Sequence, residues 1–122
     1  MLKGQRILIA EDEPFIAMDL ASGVEEARGH VVGPAASVSE ALALLAVNEV
    51  SGAILDVNLA DRDVTPVALM LIEKKVPIVF HTGVGIPPEL AMGHPNLVVC
   101  IKPTSLEGLI AHLKRQLNEF EQ

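Results

Sequence analysis

The sequence contains no tryptophan, no tyrosine and only three phenylalanines, Phe15, Phe80 and Phe120. Its core must therefore be aliphatic, and there is little on which a nucleobase could stack. A single cysteine, Cys100, stands inside the apolar run NLVVCI. That excludes an intrachain disulfide, fits a reducing compartment such as the cytoplasm, and reads as a small buried hydrophobe. No stretch approaches the ~18 uninterrupted apolar residues of a membrane span. The opening MLKGQRILIAEDE meets acid too early to be a signal peptide. Positive charge is scarce too: 9 Lys and Arg against 16 Asp and Glu leave a net charge of −7. A phosphate-backbone partner is thereby disfavoured, and no DNA-reading helix or zinc-finger motif appears. Neither nucleic acid nor a membrane is expected as a partner.

What is present is a regular alternation of short apolar runs and helical patterns. Half of the 122 residues are hydrophobic and a fifth are charged, which suits one folded domain over 1–122 with a single substantial core. RILIA (6–10) is branched and apolar on both faces, as a buried parallel strand is. Residues 14–30 place Ile16, Leu20, Val24 and Ala27 at helical spacing, with Gly29 as the expected stop. HVVGPAA (30–36) reads as a weaker strand cut short by Gly33 and Pro34. SVSE (37–40) fits a capping box that opens a helix to about Asn48. SGAILDV (51–57), VPIVFHT (76–82) and NLVVCI (96–101) read as strands, and 64–75 as a helix with Pro66 in its first turn. The Gly- and Pro-rich stretch after Thr82 leaves room for a short helix around Pro88 to Met92. TSLE (104–107) repeats the capping-box pattern before a helix carrying Leu106, Leu109, Ile110, Leu113 and Leu117. The expected fold is α/β, a flavodoxin-like (βα)5 open parallel five-stranded sheet in the order 2-1-3-4-5. Helices cover both faces, and the fourth is short or irregular.

In such a sheet ligands bind beyond the carboxyl ends of the strands, where strand order reverses. Strand one ends in Glu11 and Asp12, strand three in Asp56, strand four in Thr82 and strand five in Lys102. Only strand two, at the far edge of the expected order, ends without such a residue. Glu11, Asp12 and Asp56 would repel one another unless a cation joined them, and hard carboxylate oxygens suit Mg²⁺. Asp56 is then placed to attack a phosphoryl group, Lys102 to neutralise a phosphoryl oxygen, and the Thr82 hydroxyl to hydrogen-bond the product. Glu13 reads as a helix-start carboxylate. His81 adjoins the same pocket, where it either tunes the switch or simply packs. DRD (61–63) reads as an exposed loop and helix start, and His30, His94 and His112 as solvated.

EDE after strand one, ILDVN around strand three, HTG after strand four and KP after strand five occur here in order. With these motifs the whole chain resembles the receiver domain of a two-component response regulator. The resemblance implies Asp56 as phosphoacceptor and Asp12 as direct metal ligand. Glu11 would act through metal-bound water, and the Asn58 main-chain carbonyl would complete the ligands of Mg²⁺. It implies Thr82 as switch hydroxyl, Lys102 as phosphate partner and a cis peptide before Pro103. Receivers commonly carry an aromatic residue three positions before the lysine, where this chain has Val99. VNLADRDVTPVA and PIVFHTGVG resemble the single-domain alphaproteobacterial branch whose fourth strand ends Phe-Ala-Thr-Gly, with His81 at the Ala position. The implied partners are a sensor histidine kinase of the HWE or a related type, a downstream protein, and a second copy in a phosphorylation-dependent dimer. The chain ends about where its last helix ends, so output is expected through docking, or as a phosphate sink or relay. The domain is expected to be a phosphoacceptor and not an enzyme.

Three other functions compete. A small Mg²⁺-dependent phosphatase with an aspartate nucleophile would need a second acid two residues after Asp56, where Asn58 stands. A phosphate-independent interaction module with a decayed pocket is favoured by Val99 and the eroded fourth helix, and opposed by intact Asp12, Asp56 and Lys102. An FMN carrier is opposed by acids placed where phosphate would bind.

Overall fold

RILIA is apolar on both faces, so it must be covered twice. In the computed structural model, which describes residues 2–121, it is the interior strand β1 (Arg6–Ala10). There follow α1 (Pro14–Glu26), β2 (His30–Ala35), α2 (Val38–Val47), β3 (Gly52–Leu55) and α3 (Thr65–Glu73). The chain continues through β4 (Ile78–Thr82), α4 (Pro88–Gly93), β5 (Val98–Ile101) and α5 (Leu106–Glu121). The strands all pair in parallel, as the alternation of elements predicts, and they do so in the expected order β2-β1-β3-β4-β5.

Side chains of successive strand residues point to opposite faces, and the core divides accordingly. Leu8, Ala10, Ala53, Leu55 and Phe80 pack with Ala41, Leu45, Val67, Leu71 and Leu90 of α2, α3 and α4. Ile7, Ile9, Ile54 and Val79 pack with Leu20, Val24, Leu109, Leu113 and Leu117 of α1 and α5. Each fully buried Leu or Ile contributes about 1.5–3 kcal/mol relative to exposure. Two aliphatic layers around one sheet are therefore enough without more aromatics.

The structure shifts several local expectations. Helix α1 does not stop on Gly29. The left-handed residue is Arg28 (φ 70), with Arg28 N donating to Glu25 O (2.9 Å) and Gly29 N to Val24 O (2.8 Å). Gly29 serves close packing instead, since a Cβ there would meet Val24 Cγ1 at 2.8 Å. Helix α3 closes the same way on Lys75 (φ 59), where Val76 N donates to Leu71 O (2.9 Å). A left-handed residue with a Cβ is strained by roughly 1 kcal/mol, and glycine relieves it. Lys75→Gly should therefore raise the unfolding free energy by up to about 1 kcal/mol, read as a higher denaturation midpoint at unchanged slope.

Strand β2 is not cut short. It runs on to Ala35 through Gly33 (φ 102) and a cis Gly33–Pro34 peptide, with the register against β1 shifting between Leu8 and Ala10. The Ser37 half of the first capping box forms, Ser37 Oγ accepting from Glu40 N at 3.0 Å. The cap of α5 lies one residue later than TSLE suggests. Ser105 Oγ accepts from Gly108 N (3.0 Å), while the Thr104 hydroxyl donates to Ile101 O (2.6 Å). His94 and His112 are half-buried and only His30 is exposed. Helix α4 is short, between Pro87 and His94, and is anchored through buried Leu90.

Candidate functional site

The backbone ladder continues one step past the strands and aligns their carboxyl ends. Glu11 N donates to Ala35 O (2.9 Å), Asp56 N to Ala10 O (2.8 Å) and Lys102 N to Thr82 O (2.7 Å). The residues at these ends converge. Lys102 Nζ lies 3.2 Å from Glu11 Oε1 and 3.2 Å from Asp56 Oδ2. One carboxylate oxygen from each of Glu11, Asp12 and Asp56 lies within 4.8 Å of the others. Glu11 and Asp56 are buried and Asp12 is exposed, so the cluster opens to solvent on the Asp12 side.

Burial and the neighbouring Asp56 charge push the Glu11 carboxyl up to about 7, although Glu13 N donates to Glu11 Oε2 at 3.1 Å. Burial pulls Lys102 down. The hydrogen bond to Glu11 and the charges of Glu11 and Asp56 outweigh it, and Lys102 ends above its ordinary value. One ammonium thus contacts two members of a three-acid cluster, a set that attracts a further hard cation. Glu13 sits outside the cluster and caps α1, its Oε1 accepting from Phe15 N (3.3 Å).

Thr82 is fully buried. Its hydroxyl donates to Gly85 O (3.2 Å) and accepts from Val84 N (3.3 Å), so it holds the start of the Gly-rich segment and not the carboxylates. Asn58 is exposed and forms an isolated antiparallel bridge with Asp63 just beyond Asp56. The Lys102–Pro103 peptide is cis. His81 is buried and faces the α1–α5 layer, beside a cavity of about 270 Å³ that Ile16, Leu20, Lys102 and Leu106 also line. Neither of its ring nitrogens has a hydrogen-bond partner among the described residues. Burial, then the Lys102 charge, holds its pKa below the ordinary histidine value, although Asp56 pulls the other way. Val99 is half-buried and packs on the Phe80 layer.

Asp61 contacts α2, which no local pattern announces. Its carboxylate accepts from Val38 N (2.7 Å) and Ser39 N (3.1 Å), 23 and 22 residues away. Asp63 is the local helix-start residue, accepting from Thr65 N at 2.8 Å.

A doubly wound sheet that gathers three carboxylates and a lysine at its carboxyl edge is flavodoxin-like in fold but unlike the nucleotide carriers, whose edge welcomes phosphate. No family model matches the chain. It is 31% identical over 121 residues to the transcriptional regulatory protein PdtaR of Mycobacterium tuberculosis, a match covering 97% of this chain and 59% of PdtaR. Among solved structures, SdrG from Sphingomonas melonis is 35% identical, with 93% and 96% of the two chains covered and a TM-score of 0.77. The response regulator PhyR from Brucella abortus is 33% identical over 96% of this chain and 49% of its own, at a TM-score of 0.77. The HemR receiver domain from Leptospira biflexa is 26% identical, with 93% and 94% covered and a TM-score of 0.80. The chain belongs to the response-regulator receiver family, and its relatives include PhyR-like alphaproteobacterial proteins. It spans 59% of the length of PdtaR. Among the described residues no helix is long and apolar enough to cross a membrane.

Proposed function

We propose that residues 1–122 form one receiver that takes a phosphoryl group from a histidine kinase onto Asp56 in the presence of Mg²⁺. The observation that carries this reading is Lys102 Nζ at 3.2 Å from both Glu11 and Asp56, within a cluster of three carboxylates at the strand ends. Asp12 and Asp56, with the Asn58 main-chain carbonyl, would hold Mg²⁺ directly, and Glu11 through its water. When bound, the ion supplies charge neutralisation at the phosphoryl oxygens. An Asp56 carboxylate oxygen forms the new bond to phosphorus as the bond from phosphorus to the kinase imidazole breaks. The Lys102 ammonium turns from the carboxylates to a phosphoryl oxygen. The histidine kinase is of the HWE or a related type, and output passes to a protein partner, which includes a second copy of the chain.

The test is intact-mass analysis after incubation with Mg²⁺ and a small phosphodonor. Wild type should gain one phosphoryl group, stable in acid and labile to hydroxylamine, and Asp56→Ala should gain none. If a cognate kinase also fails to phosphorylate the wild type, the reading gives way to a phosphate-independent interaction module.

The Thr82 hydroxyl cannot serve both Gly85 O and a phosphoryl oxygen with its single proton. Phosphorylation should therefore release residues 83–95 and change their amide exchange. Thr82→Ala should make exchange in that segment insensitive to phosphorylation. Unchanged protection in wild type would remove Thr82 as the switch.

A further inference from the structure

The loop that follows Asp56 is fastened at its far side to another element. It closes on itself first: Val64 N donates to Val57 O (2.7 Å), Leu59 N to Arg62 O (3.1 Å), and Asn58 bridges Asp63. Ala60 N then donates to Ala36 O (3.0 Å), just before α2. Asp61 adds two bonds, Oδ1 accepting from Val38 N (2.7 Å) and Oδ2 from Ser39 N (3.1 Å). Those donors belong to the first turn of α2, whose amides have no partner within the helix. The same turn already has its own cap, because Ser37 Oγ accepts from Glu40 N (3.0 Å). Ser37 satisfies only Glu40 N, and the two amides it leaves are taken by a carboxylate 23 and 22 residues away, on the loop that follows Asp56. The bonds from Val38 and Ser39 hold the Asp61 carboxyl below its ordinary value, so the clamp is made with an ionised group.

We propose that Asp61 is a positioning residue for the metal centre: by clamping the 57–63 loop to α2, it fixes the Asn58 main chain beside Glu11, Asp12 and Asp56. The proposal rests on the receiver reading, in which the Asn58 carbonyl completes the Mg²⁺ ligands. Mg²⁺ demands near-ideal octahedral geometry, so a loop free to drift would weaken it. Groups that orient metal ligands typically cost about 10- to 100-fold in affinity when removed. The coupling is reciprocal: whatever Asp61 adds to Mg²⁺ affinity, Mg²⁺ adds to the contacts between Asp61 and α2.

The experiment is a calorimetric Mg²⁺ titration of the full chain, with amide exchange read at Val38 and Ser39. Asp61→Ala should bind Mg²⁺ about ten-fold more weakly than wild type. Asp61→Asn, which keeps one acceptor, should fall between them. Ser37→Ala loosens the same helix start without touching the loop and should bind as wild type does. Added Mg²⁺ should slow exchange at Val38 and Ser39 in wild type and leave it unchanged in Asp61→Ala. Equal affinity in wild type and both Asp61 variants would overturn the proposal, as would an equal loss in Ser37→Ala. Should Asp61→Ala not fold, Asp61→Asn and the wild-type exchange decide alone. A wild-type chain with no Asp56-dependent Mg²⁺ binding would overturn the receiver reading itself, and this proposal with it.

Discussion

Lys102→Ala should slow phosphorylation of the chain by about 100- to 1000-fold while tightening Mg²⁺ binding roughly ten-fold. The two effects have opposite signs because Lys102 plays opposite parts in them. Before phosphoryl arrives, its ammonium lies 3.2 Å from Glu11 and from Asp56, where it repels any cation the cluster would bind. A double and a single charge about 5 Å apart repel by roughly 1.5 kcal/mol even in a water-like dielectric, which is about ten-fold in affinity. During transfer the same ammonium meets charge developing on the phosphoryl oxygens. Loss of a preorganised charge at that point typically costs two to three orders of magnitude in rate. Phosphorylation rate by intact mass and Mg²⁺ affinity by calorimetry separate the two. If Mg²⁺ binding weakened instead, Lys102 would be a scaffold that orders the carboxylates, and its charge would be secondary. Lys102→Arg should recover only part of the rate, because a planar guanidinium does not replace a compact ammonium between two carboxylates.

The convergence of Glu11, Asp12, Asp56 and Lys102 was legible in the sequence because a parallel sheet has only one carboxyl edge. Once the runs around 6–10, 52–55, 78–82 and 98–101 are strands, their ends must meet. Errors arose where local chemistry allows two answers. Gly29 and Arg28 are adjacent, and packing against Val24, not backbone freedom, decides which is the glycine. Thr104 and Ser105 are equally good caps, and the need to satisfy Ile101 O takes Thr104 away. Gly33 and Pro34 look like a terminus, yet a bulge carries β2 through them. Asp61 could not be read at all, because its partners lie on another element with no local pattern to announce them. The sequence leaves His81 between tuning and packing, and the structure buries both of its ring nitrogens without partners among the described residues. The side chain is withdrawn from solvent.

Phe80→Ala should cost about 3–5 kcal/mol and lower the melting temperature by roughly 10–25 °C. Phe80 is the one aromatic among the fully buried side chains of the described residues, and it sits in a core otherwise built from Leu, Ile, Val and Ala. Its neighbours across the sheet are Leu55 on β3 and Val99 on β5, both in register. Leu55 directly precedes Asp56, and Thr82 lies two residues beyond Phe80, so this one ring packs under the two strand ends that carry the site. A void there loses both transfer energy and contacts that its surroundings recover only in part. A domain of this size has about 5–15 kcal/mol in all, so the loss is a large share of it. Phe15, 78% exposed on α1, is the contrast: Phe15→Ala should change stability by less than about 0.5 kcal/mol. Denaturation followed by far-ultraviolet circular dichroism suits a chain without tryptophan or tyrosine. The slope with denaturant should stay constant, so that the midpoint alone reports the change. A loss below about 1.5 kcal/mol would mean that Leu90 and Val99 collapse into the void. That outcome would make the β4 face of this receiver plastic enough to let its strand ends move without an aromatic switch at Val99.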